Sequence, residues 1–185
     1  MPDFPQLETA RCVLTLLRPE LVPLLQVYKQ ENEAHLAPWE PVRFASDGTL
    51  EEVCQHMAAR SLQGFMDGTA VQFVAIDPKT RAMVAGCNFT NIVRGPLQAC
   101  HLGCSVDAQR QGTGLMREVV QAGIAFMFDN VGLHRIMANH MPSNLRSSRL
   151  LQTLGFEREG LARSYLQIAG RWEDMVLNSL INPHH

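Results

Sequence analysis

The chain of 185 residues has no apolar run near the roughly 20 residues of a membrane-spanning helix, so no such span is expected. It has no basic surplus. Sixteen Lys and Arg stand against eighteen Asp and Glu, for a formal net charge of −2, and general nucleic-acid binding would normally need a large positive excess. It has no Cys-x-x-Cys pair, and its five cysteines, Cys12, Cys54, Cys87, Cys100 and Cys104, are odd in number. On one strand, Cys100 and Cys104 would stand about 13 Å apart, beyond disulfide reach, so reduced thiols and a cytoplasmic location are expected. The opening "MPDFPQLETAR" has neither a basic segment nor an apolar core, so no secretory signal is expected. Internal repeats, low-complexity tracts and linkers are also lacking.

What remains is 46% apolar and 18% charged, enough for one domain with a full core, taken as residues 1–185. "CVLTLL" reads as a first strand. "PELVPLLQVYKQENEAHL" reads as a helix with Pro19 at its start and Leu21, Leu24, Leu25 and Tyr28 on one face. "APWEPVR" interrupts it with two prolines. Thr49 then stands three residues before Glu52, the spacing of a capping box, ahead of a helix carrying Leu50, Val53, Met57, Leu62 and Phe65. "AVQFVAI", "MVAGCNFTNIV" and "QACHLGCSV", joined by short turns, suggest an antiparallel meander. A helix from Leu115 to Asp129 follows. It is apolar nearly all round, which predicts that both its sides are covered. "HRIMANHM" reads as a strand, "NLRSSRLLQTLGF" as a short helix ended by Gly155, and "RWEDMVLNSLI" as the last strand. The order, β-α-α-β-β-β-α-β-α-β-β, gives an α+β sheet packed by helices.

Between the third strand of the meander and its helix lies "SVDAQRQGTGLMREVV", Ser105–Val120, with Gly112 and Gly114 one residue apart. A nucleotide-binding loop ending in Gly-Lys-Ser/Thr is excluded, because Leu115 and Met116 follow Gly114. A Gly-x-Gly-x-x-Gly fingerprint fails at Arg117. A third pattern, Gln/Arg-x-x-Gly-x-Gly/Ala between a strand and a long helix, is met by Gln109, Gly112 and Gly114. There, unpaired backbone N–H groups from 110 to 115 would meet a pyrophosphate at a helix N-terminus, and the glycines would let it come close. On this turn alone, an ordinary glycine-rich turn stands level with that reading.

The downstream segment "NLRSSRLLQTLGF" places Asn144, Ser147 and Leu-Gly-Phe at 154–156. With the glycine turn at this distance, the chain resembles the GCN5-related N-acetyltransferase (GNAT) superfamily from residue 11 to 181. "FTNIVRGPLQACHLGCSVD", "GTGLMREVVQAGIAFMF", "LHRIMANHMPSN" and "GFEREGLARSYLQIAGRWEDMVL" are similar to its RimJ/RimL branch, bacterial enzymes that acetylate ribosomal-protein N-termini, and most like the alanine-acetylating RimJ type. The resemblance implies a mixed, mostly antiparallel sheet of six to seven strands, splayed at its central parallel pair, with helices on both faces. It implies acetyl-CoA as co-substrate, no metal, no nucleic-acid or membrane partner, a ribosomal-protein N-terminal peptide as acceptor, and a monomer or weak homodimer. Cofactor contacts would come from Cys104, Ser105 and Val106 at the strand end, from Arg110, Gln111, Gly112, Thr113, Gly114 and Leu115 in the turn, and from Asn144 and Ser147. Cys104 departs from the family, where an aromatic residue often follows "LG", and this would alter the wall of the acceptor pocket.

The expected reaction is attack of a neutral amine on a thioester, with a backbone N–H near Ser105 or Val106 meeting the oxyanion. Ser147 is the candidate proton donor to the leaving thiolate, against a plainer reading as a helix-first-turn serine. Asn144 would cap the helix, contact the cofactor, or do both. Glu40 in "PWEPV" is the candidate base, against a plainer reading as a surface glutamate. His101 and His140 stand as proton relays or as packed residues, and Glu159 as functional or structural. Tyr165 lies on a later strand, away from the Asn144 helix. Arg110, Arg117 and Arg149 stand either as phosphate contacts or as ordinary surface arginines. A metal site from Cys100, His101 and Cys104 is disfavoured, since successive strand residues point to opposite faces. Two other functions stay open: acetylation of a small amine such as a polyamine or antibiotic, and a non-catalytic acyl-CoA-binding module.

Overall fold

The computed structural model of the chain describes residues 4–42 and 48–184; Arg43 of the proline-bearing segment lies outside them. Its strands are β1 (Gln6–Glu8), β2 (Val13–Leu16), β3 (Val71–Ile76), β4 (Met83–Val93), β5 (Ala99–Val106), β6 (Arg135–His140), β7 (Glu157–Ile168) and β8 (Arg171–Ile181). They form one sheet in the order β1-β2-β3-β4-β5-β6-β8-β7. Among them only β5 and β6 run parallel; every other neighbouring pair is antiparallel. The sheet thus has eight strands rather than six or seven. The added strand is β1, three residues pairing with β2 through Leu7 and Leu14. "QLE" is too short and too polar to show an alternating pattern.

The helices are α1 (Val22–Leu36), α2 (Leu50–Met66), α3 (Leu115–Asp129) and α4 (Leu145–Thr153). Alternation along the strands divides the core between the two faces. On one face Leu25 and Tyr28 of α1 and Cys54 and Ala58 of α2 pack with Val74 of β3. On the other, Val119, Val120 and Met127 of α3 and Leu151 of α4 pack with Phe73, Cys87 and Phe89. The buried face of α2 is centred on small residues, Cys54, Ala58, Ser61 and Gly64, with Leu50, Val53, Met57, Leu62 and Phe65 half-buried beside them. Small residues let the helix lie close, a feature hidden when only large apolar residues are tracked. In α3, Arg117, Gln121, Ala125 and Asp129 form an exposed stripe, so the helix is covered over a wide arc and not all round. Its close approach is made at Gly123, where a Cβ would lie 2.7 Å from Phe89 Cε2.

Local chemistry fixes the helix ends. Thr49 Oγ1 accepts from Glu52 N–H, and the Glu52 carboxylate accepts from Thr49 N–H at 2.7 Å, a complete capping box. At the end of α4, Gly155 has φ +85°, Phe156 N–H donates to Leu151 O at 3.0 Å, and Gly155 N–H donates to Gln152 O at 3.1 Å. This is a Schellman closure, with buried Phe156 and Leu151 as its apolar pair.

Candidate active site

β5 and β6 separate before either ends. Their pairing runs from Ala99 with Arg135 to Leu102 with Ala138. Beyond that, β5 continues to Val106 on β4 alone, and β6 continues to His140 on β8 alone. The phase of the β4–β5 ladder decides which β5 groups face the opening. Asp107 N–H donates to Val84 O at 2.9 Å, so antiparallel alternation directs the amides of Ser105 and Gly103 toward β4 and those of Cys104 and Val106 toward the gap. Side chains alternate as well. Ser105 points to the α1 face and accepts a hydrogen bond from Tyr28 OH at 2.9 Å. Ser105 is therefore turned from the opening by both backbone and side chain. Of the expected strand-end contacts, Cys104 and Val106 remain in place to offer an N–H.

The parted strands flank a cavity of about 200 Å³ that reaches both sheet faces. Toward α4 its wall is Leu102, Cys104, Ala138, His140, Asn144, Ser147, Leu150 and Leu151; Trp39, Gly103, Asn139, Met141, Leu166, Ile168 and Met175 complete it. Asn144 caps α4, its Oδ1 accepting from Ser147 N–H at 3.1 Å, and its amide nitrogen is left over for another partner. Cys104 is exposed on this wall. Glu40 is not brought to the cavity. Its carboxylate is held by Lys29 Nζ at 2.9 Å, while its carbonyl accepts from Ala169 N–H at 3.0 Å. The ion pair explains the departure: Lys29 lies eleven residues back on α1, a pairing that no local pattern signals. Trp39, its neighbour, lines the cavity instead.

The glycine turn is braced from outside and open within. Asp107 Oδ1 accepts from Gln109 N–H at 2.7 Å, starting a short 3-10 turn over Ala108–Arg110. Arg110 Nη2 meets Asp77 Oδ2 at 2.8 Å, tying the turn to the loop after β3. The N–H of Lys79, and then the Arg110 side chain, hold the Asp77 carboxyl below the usual range. Thr113 Oγ1 donates to Arg110 O at 2.7 Å, and Arg11 Nη1 donates to Thr113 O at 2.9 Å. Arg11 is itself fixed by Glu118 at 2.7 Å. The Gln111 side-chain amide lies 2.8 Å from His35 Nδ1 and 2.6 Å from Nε2, and His35 Nε2 lies 3.2 Å from Val106 O. Among the described residues, the N–H groups of Gly112, Thr113 and Gly114 have no protein acceptor. Gly112 and Gly114 have φ of +71° and +78°, and a Cβ on Gly112 would project into open space. That space lies at the N-terminus of α3, where the helix dipole favours an anion.

The other candidates stand apart. Arg117 and Arg149 are exposed. Glu159 is paired with Arg135. Tyr165 is not in the cavity wall. His101 shares the Ser105 face, with Nδ1 enclosed and lacking a partner among the described residues. Among those residues no cluster of three His, Cys, Asp or Glu is placed to hold a metal, and no helix is long and apolar enough to cross a membrane.

Residues 11–157 match the family described as acetyltransferase (GNAT) domain. The chain is 40% identical over 183 residues to the [ribosomal protein uS5]-alanine N-acetyltransferase of Escherichia coli K12, covering 96% of this chain and 91% of the other. The crystal structure of ribosomal-protein-S5-alanine acetyltransferase from Vibrio fischeri superposes with a TM-score of 0.90 at 35% identity, over 97% of each chain. RimJ of Mycobacterium smegmatis, in complex with CoA-disulfide, superposes with a TM-score of 0.85 at 25% identity, over 99% of this chain and 89% of that one.

Proposed function

The chain belongs to the GNAT acetyltransferase family, and from that premise we propose that it acetylates the N-terminal α-amine of a ribosomal protein, an alanine on the small-subunit protein uS5. It is an N-acetyltransferase with acetyl-CoA as donor. The observation that carries the acceptor assignment is the 40% identity to the uS5-alanine enzyme, sustained over 96% of this chain. The reading takes residues 1–185 as one catalytic domain acting in the cytoplasm, where ribosomal proteins are made.

The residues present suit the donor. The free N–H groups of Gly112, Thr113 and Gly114 would hold its pyrophosphate, with the Leu115 N–H, which donates to Thr113 Oγ1 at 3.4 Å, beside them at the first turn of α3. Arg110 supports the turn through Asp77 rather than meeting a phosphate. Asn144 and Ser147 would line the thioester end, the Ser147 hydroxyl giving a proton to the departing sulfur. The amides of Cys104 and Val106 would meet the developing oxyanion. The acceptor would enter from the Trp39 and Leu166 side. An α-amine with a pKa near 8 is about a quarter to a third neutral at pH 7.5, whereas a lysine near 10.4 is almost wholly charged. A cavity without a carboxylate among its described lining residues suits a single α-amine better than a polycation.

Synthetic peptides copying ribosomal N-termini, mixed with the protein and acetyl-CoA, will test this through release of free thiol. Turnover is expected to be fastest with the uS5 sequence beginning at alanine. Tight donor binding with no turnover of any peptide would instead indicate a binding module. Turnover confined to free polyamines or aminoglycosides would indicate a small-molecule enzyme.

A further inference from the structure

Amide formation removes a proton from the attacking nitrogen, and a base in the cavity would speed that loss. Among the described residues that line the cavity, the side chains that titrate are Cys104 and His140; there is no carboxylate, lysine, arginine or tyrosine. An ordinary thiol keeps its proton at neutral pH, and Glu40 is held outside by Lys29. His140 is the last residue of β6, still paired with Val176 of β8 but past the end of β5 pairing. It is only 7% exposed. Its Nδ1 lies 2.9 Å from the carbonyl oxygen of Met141. A carbonyl can only accept, so Nδ1 carries the hydrogen and the lone pair of the neutral ring sits on Nε2. Nε2 has no protein partner among the described residues, and it occupies the ring edge opposite the Met141 contact.

We propose that His140 is a catalytic residue whose Nε2 accepts the proton of the attacking amine. As the N–C bond forms, the nitrogen gives one proton to Nε2. The C–S bond then breaks with its electron pair going to sulfur, the Ser147 hydroxyl gives its proton to the thiolate, and the imidazolium proton restores that hydroxyl. One amide and one free thiol result, and His140 ends neutral. The Met141 carbonyl keeps the ring in the tautomer that can accept. This role rests on the acetyl transfer proposed above.

The His140→Asn variant separates catalysis from structure, because its amide nitrogen can still donate to Met141 while no base remains. With the best peptide, kcat is expected to fall about 100-fold while affinity for acetyl-CoA stays essentially unchanged. In a His140→Ala variant, added imidazole is expected to raise the rate in proportion to its free-base concentration. An asparagine variant with the parent kcat would overturn the assignment. A second measurement needs no acceptor: ring-nitrogen NMR shifts of the unaltered protein should show the neutral Nδ1–H form at His140. Finding the Nε2–H form would sink the proposal, whereas failure of every peptide would count against the acceptor assignment instead.

Discussion

In the proposed donor site, Gly112 and Gly114 act by leaving their space and their N–H groups free. With φ at +71°, Gly112→Val strains the backbone by about 1–2 kcal/mol and sets a branched side chain in the space proposed for the pyrophosphate. Acetyl-CoA affinity is expected to fall at least about tenfold in calorimetry on the folded variant; an unchanged affinity would remove the phosphate assignment. The two glycines were legible because the unusual backbone they require leaves a mark in residue type. Glu40 was not legible in the same way. Its location between two helices suggested the acceptor side, but its carboxylate is taken by Lys29, a matter of helix phase and loop path. Ser105 and Cys104 are neighbours that differ wholly in role, and only the ladder register against β4 tells them apart.

At the level of elements, β4 (Met83–Val93), α3 (Leu115–Asp129) and β8 (Arg171–Ile181) have the bounds that their apolar patterns predict. Each is long, strongly patterned and closed by turn chemistry. β1 escaped notice because three residues cannot display a period. The capping box of α2 was readable because both of its bonds are local. Thr49→Ala is expected to cost about 1 kcal/mol and to lower Tm by about 2–4 °C, with kcat unchanged, since no α2 residue lines the cavity. A loss of activity at unchanged stability would mean that α2 shapes the site. The parting of β5 from β6 had no local signal: "HLGCSV" reads as one strand, and where its second partner leaves depends on the path of β6 and α4.

Across the whole molecule, acidification should act in two stages. Burial lowers the affinity of His101 for a proton, and the unfolded chain protonates this residue below about pH 6.5, so stability starts to fall there. The Asp77, Glu52 and Glu159 carboxyls are held low, chiefly by the N–H of Lys79, the N–H of Thr49 and the side chain of Arg135 respectively. Their contribution is present above the ordinary carboxylate range and is lost as pH falls from about 4 through their folded values. Urea midpoints measured from pH 8 to 3 should show both declines, and His101→Gln should remove the first. A midpoint insensitive to pH between 7 and 5 in the parent protein would contradict the assignment to His101.

A sheet that opens in its middle has two edges that most sheets do not. Along β5, the amides of Cys104 and Val106 form a short hydrogen-bond template beside the cavity, where covering loops or charged side chains would block the reaction. An extended amide-bearing arm laid in that opening could satisfy the template much as an added strand completes an edge. Donor binding and structural stability would then be one equilibrium, with the loaded chain more stable in proportion to the logarithm of donor concentration. The supply of acetyl-CoA would thus set the rigidity of this protein as well as its rate.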